Sequence, residues 1–171
     1  PNIKESQANK ALVDAVSDME GVAVFNLYEL SQEIAFNIDE WSKIISDASA
    51  VIYQFPFYWM SAPSLLKKWQ DEVFTFLSKT PAVAGKPLTV VTTTGSEYEA
   101  YRSGGRNRFT TDELLRPYQV SAIHSGMSWQ TPIVVYGMGT ADAGKNIAEG
   151  ANLYKQRVEM LIGSSNAGNN W

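Results

Sequence analysis

The chain has 171 residues, about the length of one domain, and its 14 Lys and Arg against 18 Asp and Glu give a net charge of −4 at pH 7. A content of 44% hydrophobic residues excludes a disordered chain. The scattered basic residues argue against nucleic-acid binding, and no apolar run reaches the roughly 18–20 residues that span a bilayer. The absence of Cys and the single His124 exclude disulfides, thiolate metal sites and His clusters, so we expect a soluble, cytoplasmic protein without a metal whose chemistry comes from a cofactor.

Apolar periodicity divides the first third of the chain into helices and strands. The spacing i, i+3, i+4, i+7 predicts a helix over Ser6–Met19, and a capping box at Asn37 predicts a second helix that extends to Ala48. Short β-favouring apolar runs predict strands at Val22–Leu27 and Ala50–Phe55.

The rest of the chain continues the alternation of strands and helices. The predicted elements, in chain order, are a helix from Pro63 to Leu77, a strand Leu88–Thr92, a helix from Thr110 to Ile123 that Pro117 interrupts, a strand Pro132–Tyr136 and a terminal helix Ile147–Ile162. This order predicts an α/β fold with a doubly wound parallel sheet and helices on both faces. We expect one domain over residues 1–163 and a flexible tail over 164–171.

The loops that follow the strands are where an open α/β sheet binds ligands. The first, Tyr53–Met60, holds five aromatic residues among eight. Phe57, Tyr58 and Trp59 follow Pro56 and lie in the loop, where a flat conjugated cofactor or a subunit interface would cover them. Alternatively, they only cover the helix that begins at Pro63.

The second loop, Thr92–Tyr101, contains Gly95 beside hydroxyl and N–H donors, although such a cluster is also common in ordinary turns. Its continuation, Arg102–Phe109, has three Arg and no acidic residue, which suits either a nucleotide phosphate or a solvated loop. The free N–H groups at the start of the first helix suit a phosphate, whereas Ser6 could be only an N-cap. His124 is interpreted as a structural residue.

Several segments resemble the flavodoxin-like NAD(P)H:quinone oxidoreductase family, which includes general stress quinone reductases and the ancillary oxidoreductases of glutathione-gated potassium efflux systems. The resemblance begins in Phe55–Trp69 and Asp71–Phe74 and covers nearly the whole chain, with further matches in Leu88–Gly95, Tyr101–Phe109, Asp112–Pro117 and Gly126–Trp129. It implies a flavodoxin-like fold and a homodimer that binds FMN or FAD non-covalently, with NAD(P)H as co-substrate and a quinone-type acceptor.

The resemblance also assigns site residues position by position. The phosphate-binding turn matches Ser6, Gln7, Ala8 and Asn9, the loop along the isoalloxazine matches Pro56, Phe57, Tyr58, Trp59 and Met60, and the loop at the polar edge of the flavin matches Thr93, Thr94, Gly95 and Ser96. Tyr101 matches a tyrosine near the hydride-transfer site and is the predicted catalytic residue, a donor to the quinone oxygen. The absence of Cys and the single His are consistent with chemistry that resides in a flavin.

The chain departs from the family pattern at three places. Asn107 stands where some quinone reductases have a His, and Phe76–Gly85 is shorter than the Gly- and Tyr-rich insertion of many relatives. Relatives also have an apolar strand and a His before the position of Pro1. We therefore expect about ten further residues before Pro1, one strand's length, or else direct pairing of the Val22 strand with the strand at Val51.

Two other functions remain open from the sequence. One is a regulatory flavodoxin-like dimer that binds and gates a potassium-efflux membrane partner, with incidental reductase activity. The other is a one-electron carrier, which the mild net charge disfavours, because such carriers tend to be strongly acidic.

Overall fold

The computed structural model describes residues 6–30 and 35–167, and its centre is a parallel sheet. Strand β1 (Val51–Pro56) pairs with strand β2 (Pro87–Thr93), with Val51 opposite Leu88 and Pro56 opposite Thr93. Two short strands, β3 (Ser128–Trp129) and β4 (Ile133–Val135), both pair with the other side of β2. β3 meets the start of β2 and β4 meets its end, so together they form one interrupted edge.

The described helices flank this sheet. In chain order they are α1 (Gln7–Asp14), α2 (Leu27–Leu30), α3 (Ile38–Asp47), α4 (Ser64–Trp69), α5 (Thr75–Leu77), α6 (Thr111–Leu114), α7 (Arg116–His124) and α8 (Ala143–Ala167). A π-helical turn, Gln70–Phe74, joins α4 to α5, and a 3₁₀ turn covers Tyr98–Tyr101. Ser6, Asn37 and Thr110 cap α1, α3 and α6 by accepting hydrogen bonds from first-turn N–H groups.

Because side chains alternate along a strand, the two faces of the sheet bury different residues. One face packs against α3, α4, α5 and α7 through a core that includes Tyr53, Phe55, Leu88 and Val90. The other face packs against α1 and α8 through Val91, Ile133 and Val135, together with residues of the helices (Leu12, Val16, Tyr154 and Val158). The structure thus has helices on both faces of a parallel sheet, as the sequence predicts.

One predicted strand is wrong. Residues 22–26 form no strand, and the short helix α2 begins at Leu27. A strand needs a neighbour to complete its backbone hydrogen bonds, and no described strand lies beside this segment. The proposed direct pairing of the Val22 segment with the Val51 strand is therefore also wrong, because β1 pairs only with β2 among the described strands.

The helix boundaries also differ from those predicted. α1 ends at Asp14 rather than Met19, and α8 continues to Ala167, beyond the predicted end at Ile162. The predicted interruption near Pro117 is confirmed, because Leu115 separates α6 from α7 and Pro117 lies in the first turn of α7. Residues 168–171 lie outside the described residues, and the flexibility of 164–171 stays a prediction.

Candidate functional site

The loops that follow β1, β2 and β4 meet at the carboxyl end of the sheet. The Phe57 N–H donates to the Thr93 carbonyl at 2.9 Å, which joins the first loop to the end of β2. The Thr94 N–H donates to the Val135 carbonyl at 2.9 Å, and the Met138 N–H donates to the Thr94 carbonyl at 2.9 Å. These backbone bonds hold three consecutive loops in one fixed arrangement.

The start of α1 lies at the same end of the sheet. The buried Asn9 donates its Nδ2 to Thr93 Oγ1 at 3.0 Å, and Gln54 Nε2 donates to the Asn9 carbonyl at 2.9 Å. The Ser6 hydroxyl accepts the Asn9 N–H at 3.2 Å, so Ser6 does act as the N-cap. The N–H groups of Gln7 and Ala8 have no intrahelical acceptor, as at any helix start, and belong to the turn whose Asn9 contacts Thr93.

Residues 58–61, which lie in the loop after β1, form a tight turn that presents the Trp59 ring to solvent. Tyr58 and Ser61 exchange two backbone hydrogen bonds of 2.8 and 2.9 Å, and the two residues between them have positive φ, 45° at Trp59 and 62° at Met60. Both values lie in the left-handed region, which costs a non-glycine residue about 1–2 kcal/mol. The Trp59 side chain is 98% exposed, so packing within the described structure does not compensate this cost. We name residues 58–61 the aromatic turn.

Tyr118 of α7 anchors the aromatic turn from below. Its hydroxyl accepts the Ala62 N–H at 3.0 Å and lies 3.1 Å from Ser61 Oγ. Its ring is buried against Phe55, at a centroid distance of 5.4 Å. Sequence reasoning missed this residue, because nothing in a helical pattern indicates that a side chain 57 positions later contacts the loop.

The loop after β2 combines occupied and free donors. Thr94 Oγ1 donates to the Ser96 carbonyl at 2.8 Å and the Thr94 N–H is also bonded, so both donors of Thr94 are engaged within the protein. The N–H groups of Gly95 and Ser96 donate to no acceptor within residues 6–30 and 35–167. The geometry therefore gives Thr94 a part in shaping the loop and leaves backbone N–H groups of the next two residues available to a ligand.

Tyr101, the predicted catalytic residue, is buried beside this loop. Its ring centroid lies 6.1 Å from that of Phe57 and 6.0 Å from that of Tyr136. Tyr136 directly follows β4, and its hydroxyl lies 2.6 Å from Thr111 Oγ1. Burial raises the pKa of Tyr136, an effect that the Thr111 hydrogen bond partly opposes. Sequence reasoning missed Tyr136, although its position at the carboxyl end of a predicted strand was a signal.

The structure thus brings all the predicted segments together at one edge and offers a chemically mixed surface there. Besides the free N–H groups and the exposed indole, it contains two buried atoms without a hydrogen-bond partner among the described residues, Asn9 Oδ1 and Asn107 Nδ2. A flat conjugated ring system with a polar edge and a phosphate fits this set, because it needs an aromatic platform, amide donors and a helix N-terminus. The residues present therefore fit a flavin.

A groove of about 470 Å³ runs along the outer edge of β4, between α6 and α8, and Tyr136 lines its end near Tyr101. Leu153, Met160 and Arg157 are among the residues that line it. None of the site residues predicted from the sequence lines this groove, so the groove is not the predicted site.

The fold is that of a parallel α/β protein, with the site segments predicted from the sequence at the carboxyl end of its sheet. The sequence matches the flavodoxin-like fold family over residues 1–158, and the chain belongs to that family. Within the described residues, no helix combines the length and apolar character needed to cross a membrane.

Curated relatives align with most of the chain. General stress protein 14 of Bacillus subtilis is 34% identical over 164 residues, which cover 94% of this chain and 93% of that protein. The uncharacterized NAD(P)H oxidoreductase YdeQ of Bacillus subtilis is 35% identical, with coverage of 94% and 83%. The glutathione-regulated potassium-efflux system ancillary protein KefG of Serratia proteamaculans is 35% identical, with coverage of 80% and 76%.

Solved structures share the fold at similar coverage. General stress protein 14 of Treponema denticola, crystallised in complex with FMN, has a TM-score of 0.85 and 28% identity, and 94% of each chain is covered. An NADPH-quinone reductase from P. pentosaceus has a TM-score of 0.77 and 26% identity, and 92% of each chain is covered.

Proposed function

We propose that the chain is a flavin-dependent NAD(P)H oxidoreductase that reduces a quinone or a similar two-electron acceptor. The observation that supports this most directly is the aromatic turn, where Trp59 is 98% exposed on left-handed backbone, in a loop bonded to the end of β2, which the free N–H groups of Gly95 and Ser96 follow. The names of YdeQ and of the P. pentosaceus enzyme support the reaction. The Treponema relative in complex with FMN favours FMN over FAD.

Each predicted segment has a part in holding the cofactor. The N–H groups of Gln7 and Ala8 and the dipole of α1 receive the phosphate. Trp59 and Phe57 would hold the ring system and would limit its contact with water. Met60 and Pro56 complete the same loop.

When bound, the flavin accepts a hydride from NAD(P)H and passes two electrons to the acceptor. The Gly95 and Ser96 N–H groups, which donate to no described acceptor, would hold the polar edge of the ring and would favour negative charge there. They are fixed before the reaction by the bonds of the Gly137–Gly139 loop to residues 94–96, so no reorganisation is needed as the charge appears.

Tyr101 acts on the acceptor rather than on the cofactor. Its hydroxyl donates to a quinone oxygen as that oxygen gains charge. The rings of Phe57 and Tyr136 contact its ring, at centroid distances of 6.1 and 6.0 Å.

The cofactor assignment is tested by releasing the bound flavin from the purified protein and identifying it by mass. FMN supports the proposal, FAD would revise the cofactor, and a protein that neither contains nor binds a flavin would contradict the whole assignment. NAD(P)H oxidation with menadione as acceptor then tests the reaction.

Tyr101→Phe tests the catalytic role. We expect a lower kcat with flavin content unchanged, because the ring contacts remain and only the hydroxyl is lost. One hydrogen bond to a group that becomes charged is worth about 1.5–3 kcal/mol, a reduction of roughly 10- to 100-fold. Wild-type kinetics in this variant would exclude the role.

A homodimer, a cytoplasmic location and a potassium-efflux partner also remain proposals. The similarity to KefG favours the regulatory alternative, in which the chain binds and gates such a membrane protein. Co-purification with the cytosolic domain of an efflux protein, by a chain that turns over no quinone, would favour that alternative. Turnover without any such association would favour the enzyme.

A further inference from the structure

The basic loop, which we define as residues 102–108, carries three arginines that form no ion pair with any described carboxylate. Arg102, Arg106 and Arg108 occur within seven residues of a chain whose net charge is −4. The ion pairs found among the described residues all use lysines. The exposed carboxylates of Glu97 and Glu99 are close in sequence, yet neither lies within 4.0 Å of an arginine nitrogen.

The basic loop is held against the 3₁₀ turn Tyr98–Tyr101. The Asn107 N–H donates to the Ala100 carbonyl at 3.0 Å, and the Gly105 N–H donates to the Arg102 carbonyl at 2.8 Å. A Cβ on Gly105 would lie 2.2 Å from the Glu99 carbonyl oxygen, so only glycine permits this close approach. These backbone contacts therefore fix the position of the basic loop next to Tyr101.

Two of the three guanidinium groups converge on the segment that follows Gly95. Arg106 Nη2 donates to Ser96 Oγ at 2.5 Å. The Arg102 guanidinium lies over the Tyr98 ring, 5.2 Å from its centroid. Both cations are thus held by uncharged partners, at the rim of the loop whose N–H groups face the proposed flavin edge.

We infer that Arg102 and Arg106 bind the 2′-phosphate of NADPH, so that the chain prefers NADPH to NADH. The inference rests on the proposed function, since it names the co-substrate of that site. Guanidinium groups match phosphate oxygens in charge and geometry. We assign the flavin phosphate to the N-terminus of α1. The guanidinium groups of Arg102 and Arg106 are therefore available to the phosphate of NADPH.

The test compares Arg102→Gln, Arg106→Gln and the double variant with wild type. The control is Arg157→Gln, which removes the same charge at the other end of β4, where Arg157 Nη1 donates to the Thr131 carbonyl. Two quantities are measured on flavin-loaded protein: kcat/KM for NADPH relative to NADH with menadione, and the calorimetric Kd values of NADP⁺ and NAD⁺.

We expect each single variant to lower the NADPH-to-NADH ratio of kcat/KM about ten-fold, which corresponds to 1.4 kcal/mol. In the Arg102 and Arg106 variants NADP⁺ binding weakens by a similar factor, whereas the Kd of NAD⁺ does not change. The Arg157→Gln control keeps the wild-type NADPH-to-NADH ratio. Added salt weakens NADP⁺ binding to wild type more than NAD⁺ binding, because a further exposed charge is screened.

Three results would overturn the inference. A wild-type protein that oxidises NADH and NADPH equally well removes it and leaves the proposed function intact, whereas one that oxidises neither removes both. If the Arg variants lose flavin affinity and keep the wild-type nucleotide ratio, the arginines serve the flavin phosphate.

Discussion

Tyr118→Phe is the sharpest perturbation that the structure offers, because it removes one oxygen atom and keeps the ring. The Tyr118 hydroxyl accepts the Ala62 N–H at 3.0 Å and lies 3.1 Å from Ser61 Oγ. Phenylalanine would keep the packing against Phe55 and Tyr53, at centroid distances of 5.4 and 6.5 Å. The effect of the variant is therefore an effect of the two polar contacts.

The expected loss of stability follows from the group that is left without a partner. An unsatisfied buried donor costs about 1–3 kcal/mol, and Ala62 is only half-buried, so the lower part of that range applies. The aromatic turn also contains two left-handed residues, Trp59 and Met60, and release of their strain in the variant would offset part of this cost. We expect a loss of about 1–2 kcal/mol in the free energy of unfolding, a shift of roughly 0.5–1 M in the urea midpoint at a typical m-value.

Urea unfolding of the flavin-free protein measures this loss, and FMN titration measures its consequence at the site. Weaker FMN binding is expected, because a relaxed turn must be reordered around the ring. Ser61→Ala is the matched control and should cost less, about 0.5–1 kcal/mol, since the Tyr118 hydroxyl still accepts the Ala62 N–H. The reasoning is wrong if Tyr118→Phe leaves the midpoint unchanged or if Ser61→Ala costs more.

Three further variants probe the turn, the packing and a helix cap. Trp59→Gly should keep or raise stability by up to about 1 kcal/mol, because glycine accepts positive φ, while FMN binding weakens; a large loss of stability would show that the indole packs. Gly150→Ala should lower the unfolding free energy by about 1–3 kcal/mol, because the added Cβ would lie 2.4 Å from Val135 Cγ2; Gly144→Ala, where no atom lies within 4 Å, is the control. Hydrogen bonds from the Thr110 N–H and hydroxyl lower the pKa of Glu113. The Glu113 carboxylate therefore stabilises the fold at pH values above its ordinary pKa, and this stabilisation is lost as the pH falls through the lowered pKa of the folded state. The difference in stability between wild type and Glu113→Gln should therefore shrink in acid, and a constant difference would argue against the cap.

The sequence predicts the position of the site better than its details. Strands that alternate with helices imply a parallel sheet, and a parallel sheet places its strand-to-helix loops at one edge. The proximity of Asn9, Phe57 and Thr93 follows from those two rules. Which donors stay free does not follow, since the bonds of Thr94 to Ser96 and Val135 depend on the path of loops that have no periodic pattern.

The wrong and missed predictions also concern features that depend on contacts between residues distant in sequence. The run at residues 22–27 has the composition of a strand, but a strand requires a neighbouring strand, and composition does not report one. The two-residue strand β3 is too short for any alternation to appear. Tyr118 lies in a helix whose buried side is otherwise an ordinary core, so its hydroxyl contact with the aromatic turn is visible only in three dimensions.

The distribution of left-handed residues links the strain to the function. Among the residues that the structure describes, the non-glycine positions with positive φ are Trp59, Met60 and Arg108. Turns elsewhere use glycine for the same conformation, as at Gly85 and Gly126. A glycine at each of the three positions would avoid about 1–2 kcal/mol of strain, and all three side chains are exposed. The left-handed residues thus fall in the aromatic turn, which we propose for the flat ring, and in the basic loop, which we propose for the anion.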